Sequence, residues 1–312
     1  MKIIVAGGTG FLGRPLGETY AEAGHEVIVF SRALAPGQSA HEAGTGVPGV
    51  TRVGWRSDGQ LDEWAQHVDG ADAVVNLAGE SIAAKRWTPA QKARLRDSRL
   101  LATRSLVGAI LAVERPPRVF VSGSAVGYYG CSLADTPLDE RSPPGADFLG
   151  ELCVEWEQEA LRAARPGTRI VLLRTGVVLE TGGGALAKML LPFRLFAGGP
   201  IGSGRQYMSW IHRLDWLELI RWAIENPAAE GALNATAPVP VTNAVFSRAL
   251  GRAIGRPSWM PVPAFALRTM LGEMAEALLI GGQRVVPKRA LALGYEFRYP
   301  EIDRAFRAIF ET

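Results

Sequence analysis

The sequence predicts a Rossmann-type, doubly wound α/β fold with a smaller, mostly helical C-terminal lobe, and three observations carry that prediction. Short apolar runs rich in β-branched residues alternate with stretches of helical periodicity through the first half of the chain. The first of these runs ends in a glycine-rich turn that opens a helix. Beyond about residue 176 the alternation gives way to glycine and proline breaks, and then to helices alone.

Taken in order, the expected strands are residues 2–6, 26–30, 50–55, 73–76, 118–122 and 169–173. Val74-Val75 and Val119-Phe120-Val121 are apolar without alternation, as in central parallel strands covered by helices on both faces. The intervening helices are expected over residues 12–23 and 89–113. Gly182-Gly183-Gly184 and Gly198-Gly199-Pro200 mark loops. A helix over 216–225 and a strand over 233–235 return the chain to the sheet. The tail from Val241 carries two or three helices and the proline-rich break 257–263. The organisation that follows is a dinucleotide-binding domain over 1–240 with a lobe-side insertion at about 177–207, and a substrate-side lobe over 241–312.

The 312 residues are 47% hydrophobic and 21% charged, an ordinary globular composition with enough apolar content for a sizeable core. A net charge of +3 without a basic run or basic-aromatic interleaving argues against a nucleic-acid partner. No apolar run has the length to span a bilayer, which argues against a membrane protein. Two cysteines, Cys131 and Cys153, form neither a disulfide framework nor a metal-ligand spacing, so no metal site is expected. With no signal peptide read ahead of the first strand, the expected location is the cytoplasm. Asn234-Ala235-Thr236 matches a glycosylation sequon and is read as chance.

The strongest local signal is Gly7-Gly8-Thr9-Gly10-Phe11-Leu12-Gly13, between the first strand and the first helix. Gly7 permits the tight turn, Gly10 lets a pyrophosphate approach the backbone, and Gly13 lets the helix pack closely on the strand. The helix N-terminus then offers free N–H groups and a positive partial charge to phosphates. Thr9, Phe11 and Leu12 belong to the same cofactor-binding loop. The second strand ends in Ser31-Arg32, where a NAD-preferring site has an acidic residue for the ribose 2′-hydroxyl. A guanidinium there suits a 2′-phosphate, so NADP(H) is the expected cofactor; the alternative is that Arg32 is a solvated loop charge.

These features, read with Asn76-Leu77-Ala78-Gly79 after the fourth strand, resemble the extended short-chain dehydrogenase/reductases, the NAD(P)-dependent epimerase/dehydratase group. Ser122-Gly123-Ser124-Ala125 with Tyr129-Gly130, Arg174-Thr175-Gly176, and the run from Trp210 to Asp215 extend the match. The wording of 76–87, 148–157 and 283–300 is similar to one branch, the "epimerase family" proteins with their own C-terminal domain. The resemblance covers essentially the whole chain, and it implies that Asn76, Leu77, Ala78 and Gly79 contact the cofactor.

Chemistry in that group rests on a Tyr-x-x-x-Lys pair on one helix face plus a Ser or Thr. The lysines here are Lys2, Lys85, Lys92, Lys188 and Lys288, and none lies four residues after a tyrosine. If Glu157 matches the glutamate that often follows the pair, Leu149 and Cys153 stand in its positions. The fold therefore carries over and the usual mechanism does not. Ser124 and Tyr129 are the candidate catalytic residues that remain, with Tyr128 beside them; an ordinary strand-end residue and packing are the competing readings. Cys153 is expected to be buried and inert.

Glu80 either faces the nicotinamide side as a base or caps the next segment. Lys85-Arg86-Trp87 either binds an anionic group or forms a surface turn. Arg205 either grips a phosphate or is a loop charge. His212 is read as a structural hydrogen-bonding residue.

Two functional readings follow. The first is an NADP(H)-dependent oxidoreductase or epimerase-like enzyme acting on a carbonyl or sugar-type small molecule. The second is a catalytically weak NADP(H)-binding sensor or regulatory protein. A homodimer through a helical face is compatible with either.

Overall fold

The computed structural model describes residues 1–41, 49–131 and 134–311. The strands of the main sheet are β1 (Lys2–Ala6), β2 (Glu26–Ser31), β3 (Ser39–His41), β4 (Val50–Gly54), β5 (Ala73–Asn76), β6 (Val119–Ala125) and β7 (Arg169–Thr175). The two-stranded pieces of the lobe side follow: β8 (Val177–Leu179), β9 (Tyr207–Met208) and β10 (Trp210–His212). β11 (Gly231–Ala235) returns to the main sheet, and β12 (Val241–Thr242) pairs with β9.

The main sheet runs in the order β11-β7-β6-β5-β1-β2-β4-β3. Its pairs are parallel except for the antiparallel edge strand β3. From β1 the chain builds outward through β2 and β4, then crosses back to β5 and builds outward on the other side. The strand order therefore reverses between β1 and β5, and a crevice opens there at the carboxyl ends of the strands.

The continuous apolar runs are explained by two cores, one on each face. Ile3, Val5, Val27, Val29, Val75, Val119, Val121 and Val171 point to one face. Their alternates Ile4, Ala6, Ile28, Phe30, Val74, Phe120 and Ile170 point to the other. Because side chains alternate with a period of two, a strand buried on both faces has no polar positions left. The first face is covered by α1 (Gly13–Glu22) through Leu16 and Tyr20, and by α5 (Arg213–Glu225) through Trp216, Leu219 and Ile220. The second is covered by α2 (Pro89–Ala112) through Ala102, Leu106 and Ile110, and by α3 (Phe148–Leu161) through Ala160.

The lobe has a core of its own. α4 (Gly184–Arg194), α6 (Asn243–Ala253) and the last helix, α8 (Ile302–Phe310), bury Leu186, Leu190, Phe193, Phe246, Leu250, Ile302 and Phe306 together with Trp210. A fourth cluster joins Trp87, Leu95 and Leu149 to Met274, and so packs the segment after α7 (Ala264–Leu271) over the start of α2 and α3. Among the described residues no helix is long and apolar enough to cross a membrane.

Helix boundaries follow local chemistry. Thr88 caps α2 by accepting from Gln91 N at 3.1 Å, with Pro89 at the first helical position. Asp147 caps α3 by accepting from Gly150 N at 2.9 Å. α1 begins differently. No side chain caps it and its first turn carries no acid.

Candidate functional site: a dinucleotide crevice

The glycine-rich turn is fixed by close approach rather than by flexibility. Gly7 has φ +80°, and a Cβ there would lie 2.7 Å from the backbone carbon of Leu77. A Cβ on Gly13 would lie 2.3 Å from Gly7 O, so any side chain at Gly13 would push α1 off β1. The turn closes through Gly10 N donating to Gly7 O at 3.0 Å. Gly8, which carries no role in the sequence reading, packs on β2: a Cβ there would fall 2.7 Å from Val29 Cγ1. Thr9 and Gly10 are exposed at the crevice edge, and the uncapped N-terminus of α1 lies directly behind them. A backbone cradle closed to side chains, at a helix start no carboxylate has neutralised, fits a pyrophosphate.

Phe11 does something its sequence position did not reveal. A Cβ on Gly183 would lie 2.5 Å from its ring, and one on Gly184 would lie 2.9 Å away. The start of α4 therefore rests on the phosphate turn, and Gly183 and Gly184 are what let the ring in.

At the end of β2, Ser31 is buried and its Oγ accepts from Ala33 N at 3.2 Å, which shapes the turn. Arg32 is exposed and makes no ion pair among the described residues. On the other side of β1, Asn76 is fully buried. Its amide donates to Thr103 Oγ1 at 2.9 Å and its carbonyl accepts from Ala78 N at 3.2 Å. With Leu77 N bound to Ala6 O, this holds Leu77, Ala78 and Gly79 across the mouth of the β1–β5 switch point.

Ser124 and Tyr129 lie in a buried ionic network that the sequence did not disclose. Ser124 Oγ donates to Glu157 Oε1 at 2.7 Å. The same carboxylate receives Arg174 Nε and Nη2, each at 2.8 Å. Arg174 Nη1 donates to Tyr129 Oη at 3.1 Å, and Tyr129 donates onward to Asn234 Oδ1 at 2.7 Å. Tyr128 lays its ring against the Arg174 guanidinium, 3.4 Å from the ring centroid. Burial pushes the Tyr129 hydroxyl up to about 12, against the lowering influence of Arg174. Its proton therefore stays in place at neutral pH and is committed to Asn234.

Cys153 is buried, and burial raises its thiol to about 11. Asn234 is also fully buried, and its amide donates to Val286 O at 3.0 Å, so the sequon has no room for a glycan.

Of the remaining candidates, Glu80, Trp87 and His212 are engaged in structural contacts. Glu80 accepts from Gln91 and Arg94, and Gln91 heads the causes that hold its carboxyl below the usual range. It is tied to the first turns of α2 rather than free in the crevice. Lys85 and Arg86 are exposed, whereas Trp87 is buried and donates to Ile82 O. Arg205 is exposed on its loop. His212 caps α5 by accepting from Leu214 N at 3.1 Å and stacks on Tyr299 at 4.0 Å. Among the described residues no group of His, Cys, Asp and Glu side chains is arranged to hold a metal ion.

A glycine cradle at the switch point of a parallel sheet, read with a matching family model over residues 3–235, decides the ancestry. The chain belongs to the NAD dependent epimerase/dehydratase family. A second model, a domain of unknown function (DUF1731), matches residues 262–309. The chain is 43% identical over 313 residues to the "Epimerase family protein SDR39U1 homolog, chloroplastic" of Arabidopsis thaliana, covering all of this chain and 87% of that protein. It is 40% identical to the epimerase family protein YfhF of Bacillus subtilis, covering 98% and 96%. Among solved structures, the human epimerase family protein SDR39U1 with NADPH superposes with a TM-score of 0.88 at 39% identity, covering both chains in full.

Proposed function

We propose that this family member is an NADP(H)-binding, epimerase-like oxidoreductase acting on a carbonyl or sugar-type small molecule. The observation that carries the reading is the pairing of an uncapped, glycine-lined α1 N-terminus with an exposed Arg32 at the end of β2 that makes no ion pair among the described residues. The first fits a pyrophosphate and the second a 2′-phosphate. The human relative solved with NADPH supports the same cofactor.

When bound, the nicotinamide supplies hydride exchange with a carbonyl or alcohol carbon. This chain's residues do the rest. Gly7, Gly10 and Gly13 leave the backbone open to the phosphates. Thr9, Phe11 and Leu12 frame the cradle, and Ser31 with Arg32 hold the 2′-phosphate end. Asn76, through its bonds to Thr103 and Ala78, fixes Leu77, Ala78 and Gly79 beside the dinucleotide. Ser124, oriented by Glu157, is the hydroxyl we assign to the reacting carbon. Tyr129 acts as a positioning group: it holds Arg174, and through it Glu157, in register.

A panel of aldehydes, ketones and nucleotide sugars assayed for NADPH oxidation tests the activity. Turnover on one class, reduced about 10²-fold or more in Ser124→Ala with NADPH affinity unchanged, is the expected result. Unchanged turnover in Ser124→Ala would remove that role. Tight NADPH binding with no turnover across the panel would favour the second reading, a cofactor-state sensor. That reading draws on α3, which carries neither tyrosine nor lysine.

A further inference from the structure

α2 carries four arginines, and three of them are neutralised. Arg94 pairs with Glu80 at 3.1 Å, Arg96 with Glu155 at 2.5 Å, and Arg104 with Glu159 at 3.3 Å. Arg99 has no carboxylate within ion-pair distance among the described residues. Its guanidinium donates only to backbone carbonyls, Nη1 to Leu95 O and Nη2 to Glu80 O, both at 3.0 Å. Two of its five N–H donors are thereby used. It is half-buried, its Cζ lies 5.3 Å from the centroid of the Trp156 ring, and desolvation lowers its pKa. A cation withdrawn from water without a counter-charge is costly unless something pairs with it.

Its position says what that something is. A Cβ on Gly79 would lie 3.2 Å from Arg99 Cγ and 3.3 Å from its Cζ. Arg99 therefore backs the Asn76–Gly79 segment at the carboxyl end of β5. Arg32 stands at the end of β2, and the phosphate turn lies between them, at the end of β1. A dinucleotide laid across the switch point with its 2′-phosphate toward Arg32 must place its other half on the β5 side. Gly79 has no side chain to separate that half from the guanidinium.

We infer that Arg99 is a cofactor-binding residue, whose guanidinium reaches past Gly79 to the nicotinamide mononucleotide half of NADP(H). It supplies from α2 a cation that α3 lacks. Its remaining donors suit ribose hydroxyls or the adjoining phosphate. This inference rests on the NADP(H) reading given above.

The test is a calorimetric titration of full-length protein with two probes, NADPH and adenosine 2′,5′-bisphosphate, which lacks the nicotinamide half. The variants are Arg99→Ala and Arg99→Lys. The expected result is that Arg99→Ala loses about tenfold or more in NADPH affinity, about 1.4 kcal/mol, and keeps bisphosphate affinity within about twofold. Arg99→Lys should recover part of the loss. An equal loss for both probes would make Arg99 a scaffold for the 79–80 backbone and overturn the inference. No change for either probe would overturn it as well. Wild type that binds neither probe would remove the NADP(H) reading, and this inference with it. Wild type that binds the bisphosphate while Arg99→Ala leaves NADPH affinity intact would sink only the role of Arg99.

Discussion

Ser124 shows how one hydroxyl can belong to two systems. In the proposed function it is the hydroxyl beside the reacting carbon. Toward the protein it is the first member of a chain running through Glu157, Arg174 and Tyr129 to Asn234. Glu157 and Arg174 are 6% and 4% exposed, so neither charge can fall back on water. Removing one partner of such a pair leaves the other uncompensated, at a cost of about 3–5 kcal/mol. Urea denaturation of Glu157→Ala should report a loss of that size. Arg174→Met should be similar, and the double variant should lose clearly less than the sum. Additive losses would mean the two side chains are not coupled. The network also explains why sequence singled out Ser124 and Tyr129 as candidates but missed their partners. Ser124 and Tyr129 sit in a local run after β6, whereas Glu157, Arg174 and Asn234 come from α3, β7 and β11 and meet only through the sheet order.

At the level of elements, the strands and the phosphate turn were legible because their signals are local. The strand expected at 26–30 is β2 at Glu26–Ser31, and the helix expected at 89–113 is α2 at Pro89–Ala112. The helix expected from 216 begins instead at Arg213, because His212 serves as its cap. That is an unusual capping residue and gave no signal in sequence. Capping leaves His212 buried against Tyr299, with its pKa lowered to about 4, chiefly by desolvation. Glu180 opposes that shift, while Arg213 and Arg298 add to it. The unfolded chain therefore takes up this proton near pH 6.5, whereas the folded chain does so only near 4. The unfolded state binds more protons across that window, so stability falls as pH drops from about 6.5 to about 4. Melting temperature against pH should fall less steeply over that range in His212→Asn, which keeps an acceptor for Leu214 N and removes the titration. An unchanged slope would show that His212 is not the group responsible.

For the molecule as a whole, the C-terminal lobe is fastened to the sheet domain by two carboxylates, Asp215 buried and Glu140 half-buried, that accept from backbone N–H groups of the tail. Asp215 on α5 accepts from the backbone N–H of Arg298 at 2.8 Å and of Tyr299 at 2.9 Å. Glu140 accepts from Asn234 N on β11 and Arg289 N in the tail, each at 3.1 Å. Phe11 closes the arrangement from the cofactor side, since α4 rests on the phosphate turn. The helical texture of the tail marks a lobe in the sequence, but these long-range contacts leave no pattern there from which they could be foreseen. In the binding mode proposed above, the 2′-phosphorylated dinucleotide lies across the β1–β5 switch point with Arg32 at its adenosine end. Tryptophan fluorescence titration with NADPH and NADH, in wild type and Arg32→Ala, tests it most directly. Wild type should prefer NADPH by about 10²-fold, and Arg32→Ala should lose that preference, about 2.7 kcal/mol of NADPH affinity and within the range of charge-assisted bonds, while its NADH affinity stays the same. Equal affinity for the two dinucleotides in wild type, or a preference that survives in Arg32→Ala, would contradict it.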